Sequence, residues 1–379
     1  MKRGAKQPTI LHVTEAMGGG IVTVLASFSA RQAEAGAAVS VYYLNRPETP
    51  PLERIKAQFP TGVTVRPFGD THGKLHDRVQ LATVLWHIMN TKSFDIVHLH
   101  SSKAGFFGRL IYLLSIRRPR VFYSPHGFPF LRLDVARPVR MAYQVLEAFL
   151  AKTAQGLIVT CPSEGLLASR DLKAPNVFTV ETGAPHDATY SDRSSVTVVS
   201  QPEDRSTYRV TVACVARISY QKAPWRFSAI AKELVGEADF VWIGGGTPED
   251  EQRWLDPSIR ITGWLSPNEL ETVMNGVDVL LFPTLWEGMP LALIQAQAQG
   301  IPAVVSDIVG NRDAVVDGET GFICFSEEEL MIKTRLLITD ETLRRAMSKS
   351  AAAWAREHLT DRNLGRQSLE VYGVSNGSA

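Results

Sequence analysis

Short runs of β-branched and aliphatic residues alternate with longer stretches of helical periodicity along almost the whole chain, the pattern of βα units feeding a parallel sheet. In the first half the runs predict strands at Thr9–Thr14, Ala38–Leu44, Val63–Val65, Ile96–His100, Val121–Ser124, Leu157–Thr160 and Val177–Val180. The stretches between them predict a helix from Ile21 that stops at Gly36, where glycine suits a left-handed C-terminal cap. Further helices are expected over Lys74–Asn90, Gly105–Ile116, Pro138–Thr153 and Ser163–Arg170. From His186 to Arg209 the sequence turns polar and loses its period, which marks a linker. The rhythm then restarts at Val210–Val215, Phe240–Ile243, Ile259–Thr262, Val277–Phe282 and Ala303–Ser306, a second parallel sheet, and the tail from Glu327 to Tyr372 is helical in pattern. The expected organisation is a Rossmann-like domain over 1–185, a linker over 186–209, a second Rossmann-like domain over 210–355, and a C-terminal helix over 356–379 that crosses back to the first domain.

Composition adds little to the fold but constrains the setting. A chain of 379 residues exceeds what one core supports, and 45% hydrophobic with 21% charged residues is the make-up of a folded, water-soluble protein. The net charge of +1 hides an asymmetry: 22 Lys/Arg stand against 12 Asp/Glu in residues 1–185, and 18 against 27 in 186–379. A basic first half fits an anionic partner, either a membrane surface or a phosphorylated acceptor, although solvated faces alone produce the same imbalance. Cys161, Cys214 and Cys324 are far apart, odd in number and without metal-ligand spacing, so a reducing, cytoplasmic setting is expected. No apolar run is long enough for a signal-peptide core or a membrane span.

In open α/β sheets ligands gather where strands end and helices begin, because free N–H groups and the helix dipole suit phosphate there. The first such loop holds Gly18, Gly19 and Gly20, which let the backbone approach a diphosphate and equally suit a tight βα turn. The spacing is neither the dinucleotide fingerprint nor a P-loop. His98, His100, Ser101, Ser102 and Lys103 end one strand, and His126 and Gly127 end the next, so the two together can line one cleft. In the second half Arg217 and Lys222 follow a strand five residues apart, two cations able to neutralise a leaving diphosphate. Glu287 precedes a helix that begins near Pro290, carries Gln295 and ends at Gly300; a carboxylate beside a phosphate-facing helix start fits sugar hydroxyls. Gly310, Asn311 and Asp313 occupy a later strand-end loop.

The GGG loop, HLHSSKAGFFGR, SPHGF, VARISYQKA, WIGGG and FPTLWEGMPLALIQAQAQGIPAVVSDIVGN, in this order, make the chain similar to the family 4 glycosyltransferases, retaining enzymes of the GT-B fold. The resemblance covers nearly the whole chain, and SSKAG and SPHGF resemble bacterial enzymes of exopolysaccharide, capsule or O-antigen synthesis. It implies two Rossmann-like domains facing across a cleft, with the acceptor bound by the first and the nucleotide sugar by the second. It further implies that Arg217 and Lys222 hold the donor diphosphate, that Glu287 meets the hydroxyls of the transferred sugar, and that His126 sits by that sugar. Gly18–Gly20 would close over phosphate. Gly244, Gly288, Met289, Pro290 and Leu291 complete the donor side, and His100, Ser102 and Lys103 the acceptor side. Where the family carries a second glutamate that binds ribose, this chain has Gln295, which hydrogen-bonds without charge; Asp313 replaces a frequent Glu.

The implied donor is a UDP- or GDP-linked sugar, with no separate cofactor. No metal is implied either: no Asp-x-Asp motif appears, and cations on the protein take that role. The implied acceptor is a saccharide or lipid-linked saccharide whose hydroxyl attacks as the diphosphate leaves; no nucleic acid is expected. Arg109, Arg117, Arg118, Arg120, Arg132, Arg137 and Arg140, interleaved with Phe106, Phe107, Phe128, Phe130 and Leu131, point to peripheral contact with an anionic inner membrane, and equally to a helix surface with solvated arginines. Other readings remain: a nucleotide-sugar epimerase of the same fold, a silent nucleotide-sugar-binding subunit, which Gln295 favours, and an NAD-dependent oxidoreductase, which the missing fingerprint disfavours.

Overall fold

The runs become strands of two parallel sheets because each is covered on both faces, which is why most read as near-continuous hydrophobic segments, broken in the first sheet by the buried His12, His98 and His100. The computed structural model describes residues 7–47, 49–71, 73–91, 93–185 and 209–374. The expected linker lies outside them apart from Arg209. The chain divides into two units, the first comprising Met1–Leu131, Val135–Pro185 and Asp361–Ala379, the second the rest.

Unit 1 holds seven strands: β1 (Thr9–Thr14), β2 (Ala38–Asn45), β3 (Thr64–Asp70), β4 (Ile96–His100), β5 (Arg120–Ser124), β6 (Gly156–Val159) and β7 (Val177–Thr179), in the spatial order β3-β2-β1-β4-β5-β6-β7. Their register sets His12 beside His98 and Thr14 beside His100. One face packs Leu11, Val13, Leu99, Tyr123 and Val159 against Leu81, Leu85 and Tyr112; another cluster joins Met17, Val22 and Leu25 to Val41 and Tyr43. The helix Gly20–Glu34 ends as the glycine at 36 predicts, with Gly36 at φ 91° and the N–H groups of Gly36 and Ala37 bonded back to Ala33 and Gln32 carbonyls. The helix Leu364–Val371 belongs to this unit, where buried Asp361 accepts from Arg31 Nε and Ser27 Oγ, each at 3.1 Å.

Unit 2 holds β8 (Val210–Val215), β9 (Ala238–Ile243), β10 (Arg260–Ile261), β11 (Val279–Phe282), β12 (Ala303–Ser306) and β13 (Gly321–Cys324), in the order β10-β9-β8-β11-β12-β13. Both sheets reverse direction of growth once, between β1 and β4 in the first and between β8 and β11 in the second. Such switch points are where open α/β sheets leave a crevice for ligands.

The basic and aromatic patch expected on the first half is not one surface. Arg109 is fully buried, its guanidinium 2.8 Å from Glu147 and stacked over the Tyr123 ring. Arg120 bonds the Tyr372 carbonyl, Arg140 the Phe130 carbonyl, and Phe128 and Phe130 stack within the core. Neighbours in sequence part company here because helix and strand turn successive side chains to different sides. What is exposed instead is apolar: Leu113, Leu114 and Ile116 at the end of the helix Ser102–Leu114, and Met141, Val145 and Phe149, four residues apart, on the adjoining helix Arg137–Leu150.

Candidate active site

Apart from Gly18–Gly20 and His126, which belong to unit 1, the residues expected to touch the donor lie in unit 2 at the carboxyl ends of β8, β9 and β11, on both sides of the switch point, with Gln295 farther along the helix that follows β11. Beyond β8, Lys222 ends a short 3-10 turn, and its Nζ stands 2.5 Å from Glu287 Oε1 in the loop after β11. Both are largely buried, and the Phe282 ring lies 5.2 Å from the ammonium. Gln221, which the sequence reading passed over, fastens the carboxylate loop: its Nε2 donates to the Trp286 carbonyl at 2.7 Å, and its own carbonyl accepts from Leu285 N at 2.9 Å. Arg217 is different in kind, exposed and paired with none of the described residues. A preoriented, half-desolvated ammonium and a free guanidinium therefore lie on one short segment, suited to an incoming polyanion.

The residues Gly288, Met289 and Pro290 lead into the helix Leu291–Ala298, whose first N–H groups have no side-chain cap. Pro290 is the N-cap rather than the first helical residue. The Gly310 loop after β12 braces this turn: a Cβ at Gly310, which sits at φ 83°, would stand 1.5 Å from the Gly288 carbonyl oxygen. Gly244, after β9, lies against the Ala216 carbonyl beside Arg217. Gln295 is half-buried on the helix and its amide bonds none of the described residues. Trp264, exposed after β10, flanks Gly245. Cys214 is no nucleophile, since burial pushes its thiol up.

In unit 1 Gly18 and Gly19 form the turn after β1, and Gly20 opens the helix Gly20–Glu34, again with no side-chain cap. Across the switch point, Ser101 takes φ 68° and ψ 166°, a region nearly confined to glycine, and His126 after β5 takes φ 52°. Two successive strand ends thus hold sparsely populated backbone conformations. Glu15, missed in the sequence, is buried and accepts from Lys103 N (3.1 Å) and Ala104 N (3.0 Å), so it caps the helix of Ser102 and Lys103. A cavity of about 220 Å³ opens beside it, lined by Glu15, Leu44, Asp77, Arg78, Leu81 and Lys103. Burial and the Arg46 charge lower the Lys103 pKa.

His100 is not on this surface. It is fully buried, with Nε2 2.8 Å from His12 Nδ1 and Nδ1 2.9 Å from His126 Nε2, so it stands behind His126 and meets no acceptor itself. His12, His98 and His100 bring ring nitrogens within 4.8 Å of one another, yet all six are taken up by hydrogen bonds, which leaves a metal ion no converging lone pairs. Burial lowers His12 from 6.5 to about 4 and also depresses His98 and His100. The unfolded chain binds these protons first, so stability is complete above pH 6.5 and falls as pH drops towards 4, by about 3 kcal/mol for His12 alone. Protection of the β1 and β4 amides, taken relative to the intrinsic exchange rate at each pH, should therefore fall between pH 6.5 and 4.5, and less so in His12→Asn; protection independent of pH would contradict this.

Two family descriptions match the chain: "Glycosyl transferase 4-like domain" over residues 19–183 and "Glycosyl transferases group 1" over 209–340. Fold, strand-end site and these matches together place the chain among the glycosyltransferases of the GT-B fold, group 1 and family 4-like, and it belongs to that family. Among its relatives is the Escherichia coli UDP-Gal:alpha-D-GlcNAc-diphosphoundecaprenol alpha-1,3-galactosyltransferase, 29% identical over 287 residues, covering 70% of this chain and 72% of that protein. The Campylobacter jejuni N,N'-diacetylbacillosaminyl-diphospho-undecaprenol alpha-1,3-N-acetylgalactosaminyltransferase is 28% identical over 173 residues, 42% of this chain and 44% of that one. Among solved structures, sucrose-phosphate synthase of Thermosynechococcus elongatus superposes with a TM-score of 0.81 at 16% identity, over 97% of this chain and 98% of that one. HepE of Anabaena, in complex with UDP and glucose, gives 0.72 at 14% identity over 97% and 99%. Both share the fold.

Proposed function

We propose that this glycosyltransferase moves a sugar, with retention of anomeric configuration and without a metal ion, from a UDP- or GDP-linked donor to a hydroxyl of a polyprenyl-diphosphate-linked saccharide. The observation that carries the reading is the arrangement in unit 2: exposed Arg217, the Lys222–Glu287 pair and the uncapped helix start at Leu291 lie at the ends of neighbouring strands. Arg217, Lys222 and the helix start take the diphosphate, and Glu287 takes sugar hydroxyls. Gln295 takes ribose through neutral hydrogen bonds. Gly18–Gly20, Ser102, Lys103 and the cavity beside Glu15 serve unit 1's share of the substrates. The activity borne by the E. coli and C. jejuni relatives supports the acceptor class.

The test is a panel of UDP- and GDP-sugars, UDP-galactose first, with undecaprenyl-diphospho-GlcNAc as acceptor. Acceptor-dependent release of nucleoside diphosphate and an α-linked product are expected from UDP-galactose. Conversion of a nucleotide sugar to an isomer without acceptor would make the chain an epimerase, and binding without turnover across the panel would make it a silent subunit.

The same reading places unit 1 against the membrane that carries such an acceptor. No helix among the described residues is long and apolar enough to cross a bilayer. The exposed Leu113, Leu114, Ile116, Met141, Val145 and Phe149, with exposed Arg117, Arg118, Arg137 and Lys152 about them, have the make-up of an interfacial face. The protein should float with phosphatidylglycerol vesicles at low salt and be released by high salt. Val145→Glu with Phe149→Glu should abolish flotation without lowering the melting temperature; flotation unchanged by these substitutions would discard this surface.

A further inference from the structure

The buried histidines of unit 1 carry direction as well as position. The carbonyl oxygens of Ile158 and Gly365 can only accept, and each fixes one end of a chain of hydrogen bonds. Ser124 Oγ donates to Ile158 O at 2.7 Å, so at 2.8 Å it must accept from His98 Nε2–H, and His98 Nδ1 is bare. Tyr372 OH, 2.7 Å from that nitrogen, then donates to it and accepts from Gln32 Nε2 at 3.3 Å. Independently, Ser368 Oγ donates to Gly365 O at 2.9 Å and accepts from the same Gln32 Nε2 at 3.1 Å.

Both anchors turn the Gln32 amide the same way, with Oε1 towards His12 Nε2 at 2.9 Å. His12 therefore donates from Nε2 and accepts at Nδ1 from His100 Nε2–H, and His100 accepts at Nδ1 from His126 Nε2–H. His126 Nδ1 ends the chain bare, and it bonds none of the described residues. The left-handed backbone of His126 (φ 52°) and the near-coplanarity of its ring with that of His100, 12° from parallel along the hydrogen bond between them, hold it there.

We propose that Gln32, His12 and His100 are positioning residues that lock His126 in the Nε2–H tautomer, so that His126 Nδ1 accepts a hydrogen bond from a substrate hydroxyl and offers none to a phosphate or carboxylate oxygen. The substrate half of this statement rests on the transferase reading above; the tautomer half does not. Burial and the neighbouring His12 lower His126 to about 4, which keeps the ring neutral at physiological pH and makes it a hydrogen-bond acceptor rather than an efficient general base.

The full chain, labelled with 15N only at its nine histidines, tests the lock without any ligand, His126→Asn identifying the resonances. The expected result is a bare, pyridine-like Nδ1 and a protonated Nε2 at His126. Gln32→Met, which removes the acceptor at the far end, should move both His126 shifts towards a mixture of tautomers. Gln32→Glu, which keeps an acceptor, should restore them. A protonated Nδ1 in the parent protein overturns the proposal even if no variant folds, as do His126 shifts that Gln32→Met leaves unchanged. In the transfer assay Gln32→Met should lower kcat/KM about tenfold, the scale of one misdirected hydrogen bond, with Gln32→Glu recovering most of it. A shifted tautomer with undiminished kcat/KM would overturn the positioning role. Absence of transfer by the parent protein would instead count against the proposed function, with the tautomer result still deciding the lock.

Discussion

Lys222→Met should lower kcat by about 10² to 10³ while the protein still binds nucleotide sugar, because in the proposed mechanism Lys222 meets a charge that grows as the diphosphate departs. The ammonium is already in place before any ligand arrives: Glu287 holds it at 2.5 Å, Gln221 fastens the Glu287 loop, and the Phe282 ring limits water on one side. Preorganisation of this kind costs nothing at the moment of reaction. Glu287→Ala should also abolish most transfer, since it removes the proposed contact to the sugar and releases Lys222 from its position. The two residues act as one device, so the double variant should lose little more than the worse single one. Arg217→Met should behave differently, raising KM as well as lowering kcat, because an exposed guanidinium attracts the diphosphate in ground and transition states alike. Steady-state kinetics of the four variants separate these outcomes. Transfer by Lys222→Met at the parental rate would remove the lysine from the mechanism.

The strands that were legible to the residue, β1, β4, β8 and β12, are flanked by strands on both sides and covered on both faces, so burial favours β-branched and aliphatic residues along them, with buried histidines at 12, 98 and 100. β3 was expected only at Val63–Val65 and extends over Thr64–Asp70, because an edge strand with one neighbour tolerates Arg66, Pro67 and Gly69. β13, an edge strand that opens on a glycine, and the five-residue helix Leu52–Lys56 went unread. The residues proposed for the donor side stand out as motifs because each strand end presents them with its following loop in one short run of sequence. The histidine chain does not, since Gln32 bonds Ser368 and Tyr372, more than three hundred residues along the chain, and the rings sit on β1, on β4 and in the loop after β5. Glu15 escaped for the same reason: the amides it caps lie 88 and 89 positions along the chain. In each case the partner, not the residue, carries the meaning.

Arg109 shows how far that can mislead, and its pairing with Glu147 predicts the largest loss of stability in unit 1. Read in sequence, Arg109 joins a run of cations; in the fold it is fully buried, donating from Nε to the Gly105 carbonyl at 2.9 Å and from Nη2 to Glu147 at 2.8 Å, with Tyr123 beneath at 3.8 Å. Nη1 finds no partner, so the guanidinium has nothing in reserve. Glu147→Ala would leave a buried cation uncompensated and should destabilise unit 1 by about 3–5 kcal/mol. Glu147→Gln, which can still accept the hydrogen bond but carries no charge, should cost less. Replacing both partners with apolar residues, Arg109→Met with Glu147→Leu, should recover most of the loss, because desolvating two charges offsets much of what their attraction returns. Guanidinium denaturation followed by hydrogen exchange in β4 and β5 measures all three. If Glu147→Ala and the apolar pair were equally unstable, shape rather than charge would be what this contact supplies, and the helices Ser102–Leu114 and Arg137–Leu150 would be held together by packing alone.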